Sequence, residues 1–137
     1  MATVLEFVQH SGEQKIPIVR VRINERDCYT LFDTGAEISV LDKDICNNGT
    51  KDTKAKGDKL IMLTGKNLKS GGKHHVMFDF YNDHGKKKAF VVSGISADLS
   101  SAKKHFDEAF VAVIGSDFLS EHEAVIDYEK EIVIINK

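Results

Sequence analysis

The amino-acid sequence predicts an all-β fold, a barrel or closed sheet with one or two short helices. The first observation is that short apolar segments rich in β-branched residues recur along the chain, separated by polar turns with Asn, Asp and Gly. The second is that little of the sequence has helical periodicity, a combination typical of β-barrels. The third is the length of 137 residues, which suits one domain spanning residues 1–137, since domains commonly comprise about 100–150 residues.

The first half of the chain predicts a β-hairpin that leads into a polar loop. Ile18, Val21 and Ile23 are apolar, whereas Arg20 and Arg22 point to the opposite face. In order, we expect strands at 4–8, 16–23 and 28–32 with a hairpin turn at 24–27, an apolar segment at 38–41, a helical turn at 42–46 and a lysine-rich surface loop at 47–58.

The second half continues the pattern of short strands and ends in a hairpin. Asp98 or Ser100 is the expected cap of its short helix. In order, we expect strands at 59–63 and 73–81 around a glycine-bearing segment at 64–72, a turn at 82–85, a strand at 86–92, a helix near 100–106, a strand at 109–114, a helical turn at 117–121 and a closing hairpin at 124–128 and 131–135.

Charge and hydropathy exclude several classes of partner. Nineteen Lys and Arg against 21 Asp and Glu give a net charge of −2, so we expect no nucleic-acid partner. The sequence has no apolar run of about 18 residues, so we expect no membrane span. Its first residues do not have the pattern of a secretory signal, and the expected location is cytoplasmic.

The cysteines and histidines give no sign of a metal or cofactor. Cys28 and Cys46 lie 18 positions apart, which leaves a disulfide open but favours two reduced thiols in the core. Among the six histidines, His74 and His75 are adjacent on a predicted strand and therefore point to opposite faces. We expect no metal site and no cofactor.

The segment that suggests chemistry is the one around Asp33. An apolar strand runs directly into Asp33, Thr34 and Gly35, and an apolar segment resumes shortly afterwards. A carboxylate at the end of a buried strand is costly unless hydrogen bonds compensate its burial. Gly35 permits a close approach of backbone N–H groups to such a carboxylate. The alternative interpretation is an ordinary β-turn in which Asp and Gly have no catalytic role.

A second motif strengthens the functional interpretation. Residues 110–119, FVAVIGSDFL, form an apolar strand that ends in Val113, Ile114 and Gly115 before a short amphipathic helix. Together with the earlier Asp-Thr-Gly-Ala, this segment resembles the retroviral and retrotransposon-type aspartic proteases, the retropepsin-like family. The resemblance covers about residues 16–135, with both motifs in the family's order.

The resemblance implies a small closed β-barrel and a set of site residues. Asp33 would be catalytic, Thr34 would link two catalytic loops, Gly35 would shape the turn, and the strand ending in Gly115 would lie beneath it. The hairpin 59–81 would be the flap that closes over substrate. The residues expected to contact substrate are Ala36, Glu37, Met62, Leu63, Thr64, Gly65, Lys66 and Ile114.

The chain departs from the family's pattern at two positions. Many viral members have Asp where this chain has Glu37 and Arg where it has Ser116, a pair that braces the site by a salt bridge. We expect that brace to be missing here. The segment 93–109 is also longer than expected, so substrate preference does not transfer from relatives.

The single Asp-Thr-Gly predicts an aspartic endopeptidase that works as a homodimer on peptide or protein substrates. Hydrolysis by a carboxylate pair needs two such groups, and Asp117 and Asp127 lack the following Thr-Gly or Ser-Gly. Asp117 is instead expected at a helix start, and the terminal segments 1–8 and 131–137 are expected as free strand edges for the dimer. The alternatives are a catalytically inactive module for dimerisation or peptide binding, and a segment released from a larger polyprotein.

Overall fold

The computed structural model describes residues 2–8, 15–46, 50–52, 59–61, 67–69, 72–82 and 84–137. These residues form twelve strands and three short helices, where one or two helices were expected. In chain order they are β1 (Thr3–Glu6), β2 (Ile18–Ile23), β3 (Arg26–Phe32), β4 (Val40–Asp42), α1 (Lys43–Cys46), β5 (Thr50–Asp52), β6 (Lys59–Ile61), β7 (Asn67–Lys69), β8 (Lys73–Tyr81), β9 (Lys87–Ala97), α2 (Ser100–His105), β10 (Phe110–Ile114), α3 (Ser116–Glu121), β11 (Val125–Asp127) and β12 (Ile132–Ile135).

Six strands close into a barrel, which confirms the predicted fold class. The main sheet has the order β2-β3-β10-β4-β9-β8-β5, and an additional pairing of β2 with β8 closes the ring. That closure is antiparallel, with Val21 opposite Phe80. Closure removes the unpaired edges that an open sheet would present. Strand β5 lies outside the ring and pairs with the other end of β8.

The β2–β3 hairpin begins the barrel and determines where Asp33 emerges. Its turn comprises Asn24 and Glu25, with φ of 51° and 65°, as two-residue hairpin turns require. The turn is therefore two residues shorter than the expected 24–27. Beyond it, β3 runs inward to Phe32, which is 1% exposed, and Asp33 follows directly.

Strand β10 passes through the centre of the sheet, between β3 and β4. It is parallel to β3, with Ile114 opposite Phe32, and antiparallel to β4, with Val113 opposite Val40. All five residues of β10 are buried, as expected for a central strand covered on both faces. Because β10 and β3 are parallel and in register at this point, their carboxyl ends lie side by side.

The core is dominated by aromatic and β-branched side chains. Phe32, Phe80, Phe90 and Phe118 are linked by ring-to-ring contacts with centroid distances of 5.9 to 6.4 Å, within the range of favourable aromatic pairs. The cluster joins β3, the β8–β9 hairpin and α3 in one apolar unit.

Strands β1, β12 and β11 form a second sheet that corrects the prediction for the C-terminal segment. β12 lies in the middle, with Leu5 of β1 opposite Val133 and Ile126 of β11 also opposite Val133. The C-terminal segment is therefore not a free edge, because β1 of the same chain pairs with one side of it. β1 and β11 are both outer strands of this sheet, so the segment 1–8 does contain a strand edge, as expected.

Three other elements of the structure differ from the sequence-based prediction. The loop expected at 47–58 contains strand β5, and the strand expected to end at residue 92 continues to Ala97. The hairpin expected over 59–81 comprises only β6 and β7, since β8 pairs with β9, β5 and β2 instead. Residues 62–66, which follow β6 in the sequence, lie outside the described residues.

Both cysteines are buried free thiols, as predicted. Burial raises the pKa of Cys28 and of Cys46 above the ordinary value, so both thiols are poor nucleophiles. No helix in the described part of the chain is long and apolar enough to cross a membrane.

Candidate active site

The turn after β3 holds the carboxylate of Asp33 by backbone hydrogen bonds. The N–H of Gly35 donates to Asp33 Oδ1 at 2.9 Å, and the N–H of Ala36 donates to the Asp33 carbonyl at 3.2 Å. The N–H of Asp33 itself donates to the carbonyl of Ile114 at 2.9 Å. The start of the turn is thus attached to the end of β10.

The polar groups of the turn reach the surface. Asp33 and Ala36 are half-buried, whereas Thr34, Gly35 and Glu37 are exposed. A carboxylate in this position can accept a proton from a water molecule or hold one for a substrate carbonyl, because it is shielded by the fold but still accessible. The turn places the predicted catalytic residues Asp33, Thr34 and Gly35 together.

One glycine is required by space at this site, and a second lies close to the carboxylate. A Cβ on Gly35 would lie 3.2 Å from Asp33 Oδ1, so a larger residue would shift the carboxylate by a few tenths of an ångström. A Cβ on Gly115 would lie 2.5 Å from the carbonyl oxygen of Ala36. That oxygen accepts a hydrogen bond from the N–H of Ser116 at 2.7 Å. The β10–α3 junction therefore lies in direct backbone contact with residues 33–39, called the catalytic turn because they contain the predicted catalytic residues. The resemblance implied this position for the strand ending in Gly115.

Ile114 supports the turn from below. It was expected to contact substrate, but its side chain is 0% exposed. The group that it contributes to the site is its carbonyl oxygen, which accepts from Asp33 N. Of the other expected substrate contacts, Ala36 and Glu37 lie in the catalytic turn, while Met62, Leu63, Thr64, Gly65 and Lys66 lie outside the described residues.

Asp117 has a role at the site that the sequence did not reveal. It lies in the first turn of α3 as predicted, but its carboxylate also accepts hydrogen bonds from Ser39, 78 positions away. The signal in the sequence was an acidic residue two positions after Gly115. That signal is equally well explained by a helix start, so the long-range contact could not be inferred.

A cleft elsewhere on the chain is distinct from this site. It has a volume of about 700 Å³ and is lined by residues of β1, β2 and the end of β8, among them Phe7, Arg20 and Tyr81. Neither Asp33 nor any other residue of the catalytic turn lines it, so we do not assign substrate binding to it.

A turn that carries Asp-Thr-Gly, supported by an apolar strand ending in Gly within a six-stranded barrel, is the arrangement of an aspartic-protease fold. A family model described as retroviral aspartyl protease matches residues 13–127. The chain belongs to the retroviral aspartyl protease family.

Solved structures have the same fold. The retroviral protease-like domain of Ddi1 from Leishmania major is 19% identical, with a TM-score of 0.55, and the match covers 91% of each chain. A retropepsin-like aspartic protease from Rickettsia conorii is 18% identical, with a TM-score of 0.51, over 98% of this chain and 89% of that one. No curated protein sequence matches the chain significantly. At these identities the likeness concerns the fold alone.

Proposed function

We propose that the protein is an aspartic endopeptidase in which two Asp33 carboxylates, one from each chain of a homodimer, activate water for attack on a peptide bond. The observation that carries the proposal is the half-buried Asp33 at the end of β3, held by the N–H of Gly35 and supported by Ile114. No cofactor is needed for this chemistry, because the carboxylate pair supplies both the base and the acid.

The need for a second chain follows from the chemistry. Two neighbouring carboxylates share one proton, since like charges at close range disfavour ionisation of both. The ionised carboxylate removes a proton from water while the neutral one donates a proton to the substrate carbonyl oxygen. The sequence contains one Asp-Thr-Gly. A two-fold axis beside Asp33 would supply the second copy, and the exposed Thr34 would then face its symmetry mate.

The outer strand β11 is the surface that we propose for the dimer. Strand β12 has β1 on one side and β11 on the other, so both β1 and β11 are outer strands of this sheet among the described residues. The apolar residues of β1 are buried or half-buried, whereas large apolar side chains are exposed at the edge of β11. Val125 and Tyr128 at this edge are each 50% exposed. Edge strands with exposed apolar side chains favour pairing with another strand. Antiparallel pairing of two β11 strands would join the two sheets across the two-fold axis.

The test compares the wild-type protein with Asp33→Asn on an unfolded protein substrate. Asparagine keeps the size of the side chain but removes the ionisable group, so we expect cleavage to fall to background. Asp98→Asn, an exposed aspartate next to α2, is the matched control and should cleave like the wild type. Equal cleavage by Asp33→Asn and wild type, or a wild-type dimer that does not cleave, would overturn the proposal.

A further inference from the structure

We propose that Ser39 and Asp117 form a brace that positions the catalytic turn. The inference rests on the proposed protease function, because positioning matters only if Asp33 reacts. Asp117 and Ser39 do not touch the reacting atoms. They act through the backbone of residues 33–39.

The brace is a closed set of hydrogen bonds between the end of the catalytic turn and the start of α3. Asp117 Oδ2 accepts from the N–H of Ser39 at 3.0 Å, and Oδ1 accepts from Ser39 Oγ at 2.7 Å. Ser39 Oγ in turn accepts from the N–H of Gly115 at 2.9 Å. Asp117 Oδ1 also accepts from the N–H of Phe118 at 2.8 Å. A carboxylate with three donors is fixed in orientation, and charge-assisted bonds of this kind are strong.

Ser39 is also held from the opposite side. Its carbonyl accepts from the N–H of Ile95 in β9 at 2.9 Å, and a Cβ on Gly94 would lie 2.8 Å from that same oxygen. Ser39 is 0% exposed, and its N–H, hydroxyl and carbonyl all have partners. A buried polar residue with every group bonded contributes rigidity.

The hydrogen bonds attach the catalytic turn to one junction at three points. Asp33 N binds the Ile114 carbonyl at its start, the Ala36 carbonyl binds Ser116 N in its middle, and Ser39 binds Asp117 at its end. All three partners lie within four consecutive residues of the β10–α3 junction. Loss of the third attachment would free the end of the turn and alter the orientation of Asp33.

The positions that carry the salt bridge in many viral relatives do not carry it here. Glu37 is exposed and forms no ion pair with another described residue. Ser116 contributes its backbone N–H. Asp117, the next residue, provides the charge of the brace instead. Its partners are the buried hydroxyl and backbone N–H of Ser39 in the same chain. The brace therefore needs no second chain.

The first test compares Ser39→Thr with Ser39→Val, which have nearly the same shape but differ in the hydroxyl group. We expect the valine variant to lose at least about tenfold in kcat with KM nearly unchanged, because misplaced catalytic groups slow the chemical step. The threonine variant should retain most of kcat. Asp117→Asn should behave like the valine variant, since an amide has one acceptor oxygen where the carboxylate has two. Asp98→Asn is the control.

The second test is amide hydrogen exchange, which does not depend on activity. In Ser39→Val the N–H of Gly115 loses its acceptor, and we expect faster exchange at Gly115 and at Gly35 than in Ser39→Thr. If the wild type does not cleave, the proposed function fails while exchange still tests the brace. Equal amide exchange rates in Ser39→Val and Ser39→Thr would overturn the positioning role. So would faster exchange in Ser39→Val, in an active enzyme, with kcat equal to that of the wild type.

Discussion

At the scale of single residues, the geometry of the site depends on close contacts between backbone atoms. The chemistry of the side chains, which is what a sequence shows, does not reveal such contacts. The sequence predicted Asp33, Thr34 and Gly35 as site residues because their motif is local, and the structure places them in one turn. It missed the contact of Asp117 with Ser39, because a sequence does not show which residues 78 positions apart will meet. Residues 62–66 lie outside the described residues, so the substrate contacts predicted for them stay predictions.

Gly115→Ala should destabilise the protein and lower its activity. Its Cβ would lie 2.5 Å from the Ala36 carbonyl oxygen and 3.0 Å from the backbone of Ile38, and neither group can rotate away. We expect the free energy of unfolding to fall by about 2 kcal/mol or more, as for other overpacked sites.

Urea unfolding and cleavage rate measure these two effects. Gly85→Ala is the control, since nothing lies within 4 Å of its Cβ and its cost of about 1 kcal/mol comes from its positive φ alone. Normal activity of Gly115→Ala together with a smaller loss of stability than for Gly85→Ala would contradict the close-contact argument.

At the scale of elements, strands that repeat a local pattern were predictable, whereas their partners were not. The β2–β3 hairpin follows from alternating apolar residues and a turn. The pairing of β8 with β9 follows from the predicted turn at 82–85. The pairings of β8 with β5 and β2 are encoded by no local pattern, and neither is the absence of a single hairpin over 59–81. Likewise, β5 forms in a polar segment because the edge of β8 offers it hydrogen bonds.

Helix α2 is attached to the barrel by a buried ion pair. Lys103 Nζ lies 2.8 Å from Asp42 Oδ2, with side-chain exposures of 19% and 2%, and the N–H of Leu99 donates to Asp42 Oδ1. Burial by itself lowers the pKa of Lys103, but the hydrogen bond and charge of Asp42, with help from Asp44, more than offset it, so this pKa lies above its ordinary value.

Lys103→Met should therefore destabilise the protein in a pH-dependent way. It leaves the buried Asp42 carboxylate without its cation, at a cost of about 3 kcal/mol. Because the folded pKa of Lys103 is raised, its stabilisation is complete below about pH 10, the unfolded value, and is lost as pH rises through the folded value. The difference in unfolding free energy between wild type and variant should narrow above that pH.

Urea unfolding at neutral and alkaline pH measures this difference. The exposed neighbour Lys104 provides the matched control, and Lys104→Met should change stability by no more than about 0.5 kcal/mol. A gap between wild type and Lys103→Met that stays constant into the alkaline range would show that the charge of Lys103 is not what stabilises α2.

At the scale of the whole molecule, the closed barrel was predictable from length and strand pattern, but the edges of the second sheet were predictable only in part. The segment 1–8 contains an outer strand, β1, as expected, whereas 131–137 contains the central strand β12. The other outer strand is β11, which no local pattern marked as an edge. The proposed dimer surface is placed at Val125 and Tyr128 because large apolar side chains are exposed there.

Val125→Lys should weaken the dimer without unfolding the chain. Val125 is 50% exposed, so lysine is tolerated in the monomer, whereas at a paired edge its charge would be desolvated against apolar side chains of the partner. We expect sedimentation equilibrium to show a dissociation constant raised at least about tenfold, which corresponds to 1.4 kcal/mol. Cleavage should fall at low protein concentration and recover at high concentration. An unchanged dissociation constant would place the interface elsewhere.

Mixing chains tests whether one active site needs two copies of Asp33. Asp33→Asn chains keep the β11 edge, so they should pair with wild-type chains and form dimers with one ionisable Asp33. With a threefold excess of Asp33→Asn over a fixed amount of wild type, random pairing leaves only about a quarter of wild-type chains paired with one another, and activity should fall to the same fraction. The double variant Asp33→Asn with Val125→Lys pairs poorly and should inhibit much less at the same excess. Full wild-type activity in the presence of excess Asp33→Asn, after time for subunit exchange, would mean that each chain hydrolyses peptides with a complete site of its own.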